Sequence, residues 1–151
     1  MKTRTITFVT IAIVATLLVG AFAFNVLAPA KDLKLKVKWK PNAVILDTTI
    51  PDPWRAEVYF APPEDLTQVN PSTVRLDGIY TLESAPYVTV SSRLALPFHG
   101  YDVLSAIWPH IPHMAPGSYR VGLEITGSMY DGRAFSGTGY INATVPEPNG
   151  P

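Results

Sequence analysis

The chain has no cysteine. That excludes a disulfide scaffold, a thiolate metal site, an iron–sulfur cluster and a cysteine nucleophile. Charge is also scarce: 16% of residues, with 12 basic and 12 acidic side chains and a formal net charge of zero. A nucleic-acid binder working by broad electrostatics is therefore not expected. Proline is scarce only in the first 30 residues, since 14 of the 15 prolines lie after them. Pro51-Asp52-Pro53, Pro62-Pro63, Pro109 and Pro112 leave little room for long helices. Ser91, Ser92 and Ser118 lack a G-x-S-x-G context, and the acidic residues are scattered. Neither a nucleophile–base pair nor a carboxylate pair is evident, so no catalytic residue is assigned and the chain is expected not to be an enzyme.

What is present divides the chain into three parts. Residues 1–30 carry Lys2 and Arg4, then the apolar run Ile6 to Phe24, then the small-residue sites Ala21-Phe22-Ala23 and Ala28-Pro29-Ala30. This pattern is that of a signal peptide or an N-terminal membrane anchor. The run is 19 residues, near the length of a spanning helix. If it is not cut off, residues 6–24 would hold the protein in a membrane as a hydrophobic helix ahead of the domain. Either outcome places residues 31–145 outside the cytoplasm. Lys31, Lys34, Lys36, Lys38 and Lys40 on the far flank would by themselves suggest the opposite orientation. But the last four alternate with Leu33, Leu35, Val37 and Trp39, the pattern of a strand with one wet face. A lysine-rich strand also suits an exposed sheet edge. Residues 146–151 form an extended tail.

Residues 31–145 read as an all-β sandwich of seven or eight short strands. Alternation is clear in Leu33 to Trp39, Trp54 to Phe60 and Tyr119 to Ile125. Shorter extended runs are Val44 to Leu46, Thr73 to Leu76, Tyr87 to Val90 and Arg93 to Pro97, and Phe135 to Val145 closes the domain. Asp131-Gly132 predicts a hairpin turn before that last strand. One short helix is expected from Tyr101 to Trp108, with Asp102 serving its first amides. Trp39 and Trp54 fall in phase with inward residues, and Trp108 is freer.

Val69-Asn70-Pro71-Ser72-Thr73-Val74-Arg75-Leu76-Asp77-Gly78 is followed by Pro116-Gly117, Val121-x-Leu123-x-Ile125-x-Gly127 and Asp131-Gly132-x-x-Phe135-x-Gly137. In that order these segments resemble a group of immunoglobulin-like domains of secreted and surface proteins of archaea and bacteria. Leu94 to Ile107 resembles their strand-then-helix segment, and Trp39-Lys40-Pro41 their opening strand. The resemblance spans about residues 33–145 and implies an immunoglobulin-like sandwich at the cell surface. Many members carry an acidic loop suited to calcium. Tyr87 to Arg93, the matching stretch here, has no acidic residue, so the calcium role is not carried over.

Three functions follow as expectations. The first is a structural or protein-interaction module without a cofactor, meeting an unknown surface protein. The second is a carbohydrate- or cell-wall-binding module that meets a glycan, with Tyr59, Tyr80, Tyr130, Tyr140 and Trp108 as candidate stacking rings. The third is a metal-binding surface protein using His110 and His113, with Met114 and His99 as possible helpers. The plain alternative for that pair is a solvated loop. Asn142-Ala143-Thr144 is a glycosylation sequon. Asp47, Asp52, Asp65 and Asp77 neighbour turns, the usual place for aspartate.

Overall fold

A computed structural model describes residues 32–46 and 52–148. The apolar leader and Asp47 lie outside the described residues. Among the described residues eight strands and one α-helix follow in chain order: β1 (Leu33–Lys40), β2 (Ala43–Ile45), β3 (Trp54–Phe60), β4 (Val69–Leu76), β5 (Tyr87–Val88), β6 (Leu94–Phe98), α1 (Gly100–Ile107), β7 (Gly117–Met129) and β8 (Ala134–Val145). The all-β expectation is met, and among the described residues so is the single short helix.

The strands form one curled sheet in the order β4-β7-β8-β1-β3-β6-β5, with β2 also paired to β8. The curl depends on β1. Its first two residues, Leu33 and Lys34, pair in parallel with Phe135 and Ser136 of β8. From Leu35 onward it pairs antiparallel with β3 instead. β2 then returns to β8, again in parallel, at Asn142 to Thr144. The lysine strand is thus a layer edge only over Leu35–Lys40. At Leu33–Lys34 it pairs with β8, and the Lys34 carbonyl also accepts the Ala61 N–H at 3.2 Å, so the edge expectation holds for part of the strand.

Two glycines make the crossing possible. A Cβ on Gly137 would run into the carbonyl and side chain of Leu35. One on Gly139 would lie 2.5 Å from Val37 Cγ1 and 2.7 Å from Trp39 Nε1. No side chain fits between β8 and β1 at these points, so a bare backbone is required.

Beneath the crossing lies the core. Trp39, Trp54, Val58 and Phe98 come from one half of the sheet, and Leu76, Leu123, Ile125 and Ile141 from the other. Trp39 meets Phe98 at 5.9 Å between ring centroids, and Phe60 meets Phe135 edge-on at 5.6 Å. Each such fully buried side chain contributes roughly 1.5–3 kcal/mol through apolar burial. Trp39 and Trp54 are core residues as their phase requires, and Trp108 is half-buried.

Two local details differ from expectation. β4 begins at Val69, four residues earlier than the alternation suggests, because Asn70 and Arg75 pair with β7 across a register shift that accommodates Pro71. The N-terminus of α1 is served from a distance: Asp52 Oδ1 accepts the Gly100 N–H at 2.9 Å. Asp102 lies in the first turn but is not that acceptor. Asp131-Gly132 closes the β7–β8 hairpin, with the Gly132 N–H donating to the Met129 carbonyl.

Two stability measurements test these points by urea denaturation of the full chain. Gly137→Ala is expected to cost about 2–3 kcal/mol, the upper range for overpacking, because the obstacle is backbone. Asp52→Ala is expected to cost about 1 kcal/mol through loss of the helix acceptor, and Asp102→Ala measurably less. Equal effects at Asp52 and Asp102 would contradict the assignment.

Candidate functional site: a basic sheet face around a buried glutamate

Alternation in β1 sends Leu35 and Trp39 inward and Lys34, Lys36, Lys38 and Lys40 outward. The register with β3 sets Lys36 opposite Tyr59, Lys38 opposite Glu57 and Lys40 opposite Arg55. Glu57 in turn lies opposite Ala95 of β6. One outer face therefore collects four lysines, Arg55, Tyr59 and, from the residue just before β6, Arg93.

Glu57 sits at the centre of this face and is only 3% exposed, the one buried charged residue among those described. Its Oε1 accepts from Lys40 Nζ at 2.9 Å, with Arg55 Nε at 3.8 Å. Arg93 Nη1 lies 3.7 Å from Oε2, which accepts no hydrogen bond from the described residues. The Lys40 hydrogen bond holds the Glu57 carboxyl below its ordinary value; burial opposes this, and the charges of Lys40, Arg55 and Arg93 reinforce it. Long side chains complete the surface. Arg93 lies 5.4 Å from the Tyr59 ring centroid, and Arg55 donates to the Tyr87 hydroxyl at 3.2 Å. Lys34, Lys36 and Lys38 have no ion-pair partner among the described residues, so their charge faces solvent.

Where β1 parts from β8 the face opens into a groove of about 560 Å³. Lys34, Lys36, Lys38, Tyr59 and Arg93 form one side, and Ser136 and Thr138 the other, with Glu124 its single acidic lining residue. A second hollow of about 360 Å³ lies at Lys40, Arg55, Ser84 and Tyr87, floored by prolines. Such a surface attracts anions, and its hydroxyls and phenol rings can hold a polar, sugar-like body.

The three histidines lie in different surroundings. His110 Nε2 lies 3.8 Å from Asp77 Oδ2, and His113 occupies a left-handed conformation in a 3-10 turn. Neither belongs to a group of three possible metal ligands among the described residues. The one such group is Asp52, Glu83 and His99, whose ligand atoms lie within 4.8 Å of one another. His99 Nδ1 is 3.0 Å from Asp52 Oδ2, and Nε2 is 3.8 Å from Glu83 Oε1. That set also ties the start of α1 to the loops beside it, through Asp52. Sequence spacing hides it, because its members come from three separate segments.

Other candidates have definite places. Tyr59, Tyr130 and Tyr140 are exposed, as are Tyr87 and Tyr101, whereas Tyr80 is half-buried against the core. These exposed rings form no stacked pair among the described residues. Asn142 is exposed in mid-β8, opposite Arg120 of β7. Asp65 accepts from Thr67, an ordinary turn role, whereas Asp77 Oδ1 accepts the Glu124 N–H of β7 at 2.7 Å across 47 residues. Ser91 bonds to Thr89 and Ser118 to Thr144 through their hydroxyls. No family model, curated protein or solved structure matches the chain.

Replacing Glu57 with Gln removes the charge that holds three cations together. At neutral pH the expected loss is about 1–2 kcal/mol, below the value for a fully buried pair because the cations are partly solvated. The folded carboxyl is depressed, so its contribution is complete above the unfolded value of about 4.3 and is lost as pH falls through the folded one. The difference between wild type and Glu57→Gln should then close on acidification below about pH 4. A difference that persists there would point to packing instead.

Proposed function

We propose that the chain is an exported or membrane-anchored, non-enzymatic surface module on an immunoglobulin-like sandwich, and that it acts by binding through its basic sheet face. One observation carries this reading. Lys34, Lys36, Lys38, Lys40, Arg55 and Arg93 share a single face, while residues 41–151 as a whole hold 5 basic and 11 acidic side chains. A strand does not need four lysines on one face to fold, and three of these four form no ion pair among the described residues.

The strand order supports the fold. β1-β3-β6-β5 on one side and β4-β7-β8 on the other reproduce the A-B-E-D and C-F-G orders of an immunoglobulin constant-type sandwich, with β2 as an added strand beside the last. The ordered segments from Val69 to Gly137 point the same way. The leader supports export. The non-enzymatic reading rests on the want of a nucleophile–base pair in the sequence. A role as a structural or protein-interaction module and a role in carbohydrate binding both use this face. Tyr59 and Tyr87, exposed beside its cations, favour the carbohydrate role. A metal role has better support at Asp52, Glu83 and His99 than at His110 and His113.

Protease treatment of intact cells expressing the full chain tests the location. Cleavage or surface labelling of residues 31–151 is expected, and complete protection until the cells are lysed would overturn export.

A further inference from the structure

The basic face has features beyond charge that narrow its ligand. Resting on the binding role above, we propose that the face takes a linear acidic polysaccharide, one whose sugar rings carry carboxylate or sulfate groups.

Spacing is the first ground. Alternate residues of a strand are roughly 7 Å apart, so Lys34, Lys36 and Lys38 present a row of cations at regular intervals along one line. A row suits a chain with repeated charges better than a single compact anion. The second ground is the form of the site. The 560 Å³ groove is an open trough at the seam between β1 and β8, and the hollow at Lys40 and Arg55 extends the same face. Beyond the three free lysines, the Glu57 cluster divides the two hollows, so a chain crossing the face meets cations on both sides of it.

The third ground separates sugars from other polyanions. Tyr59 is 41% exposed in the groove, and Tyr87 is 47% exposed in the hollow. Each is steadied by an arginine: Arg93 lies over the Tyr59 ring, and Arg55 donates to the Tyr87 hydroxyl. A held phenol ring offers an apolar surface to a pyranose together with a polar tip. Ser136 and Thr138 add hydroxyls on the opposite wall. Phosphate chains and acidic peptides would use the lysines, but they would not need this combination of held rings and hydroxyls.

The test uses the full chain in detergent, titrated with a polyuronate, a neutral glucan and inorganic polyphosphate. Saturable binding to the polyuronate is expected, with little to the glucan. The triple variant Lys34→Gln, Lys36→Gln, Lys38→Gln should weaken it at least tenfold without lowering the melting temperature. Tyr59→Ala should weaken polyuronate binding several-fold and leave any polyphosphate binding unchanged. Absence of saturable polyuronate binding by the wild type overturns the proposal. So does polyuronate binding that ignores Tyr59→Ala and is matched by polyphosphate, which would mark a face selecting charge alone. Because exposure to protease on intact cells is scored separately, failure here removes the polysaccharide and leaves the surface location standing or falling on its own measurement.

Discussion

The close crossing of β1 over β8 is the constraint on which the rest depends. With only hydrogen on the Cα of Gly137 and Gly139, the first strand lies against the last without a side chain between them. The Trp39 ring can then sit over the Gly139 backbone and reach Phe98 in the core. The same crossing directs β1 away from β8 and onto β3. That transfer lets the single sheet curl, and it opens the groove above the seam. Core below and groove above are thus two results of one missing pair of side chains.

The buried glutamate has a different role from the core. Burying a carboxylate is costly unless cations and hydrogen-bond donors accompany it. Glu57 is accompanied by three cations, one of them in close hydrogen-bond contact. It neutralises part of the charge of a crowded basic face and fixes the directions of Lys40, Arg55 and Arg93. The lysines it does not reach remain available to solvent. Tyr59 and Tyr87 are ordered indirectly by the same arrangement, since each contacts an arginine that also faces Glu57.

Much of the fold was legible because it is written in local alternation. Trp54, Ala56, Val58 and Phe60 mark β3 to the residue, and the eight expected extended runs all correspond to strands. Ends were less legible where pairing, not side-chain phase, decides them. β7 runs from Gly117 to Met129 because β8 pairs with it throughout, although only its middle alternates clearly. The helix acceptor was misplaced because Asp52 is 48 residues from Gly100. The basic face was half legible. The lysines and the Arg55-Glu57-Tyr59 phase are plain in the sequence, but their union depends on the β1–β3 register, and Tyr87 arrives from β5 and Arg93 from the turn before β6. No spacing rule reports such an encounter, nor the meeting of Asp52, Glu83 and His99.

The parallel pairing of the first and last strands also sets how the domain would bear a load. Leu33 begins beside Phe135 at the start of β8, whereas Val145 ends β8 ten residues further on, about 34 Å away for an extended strand. A pull applied between these two ends would run along the strands. The rungs at Leu33–Lys34 and at Ala43–Ile45 would then be sheared together rather than opened one after another. Each rung shares the force, as teeth do in a clamp pulled lengthwise. A domain stitched in this way is suited to staying folded under tension between its two ends.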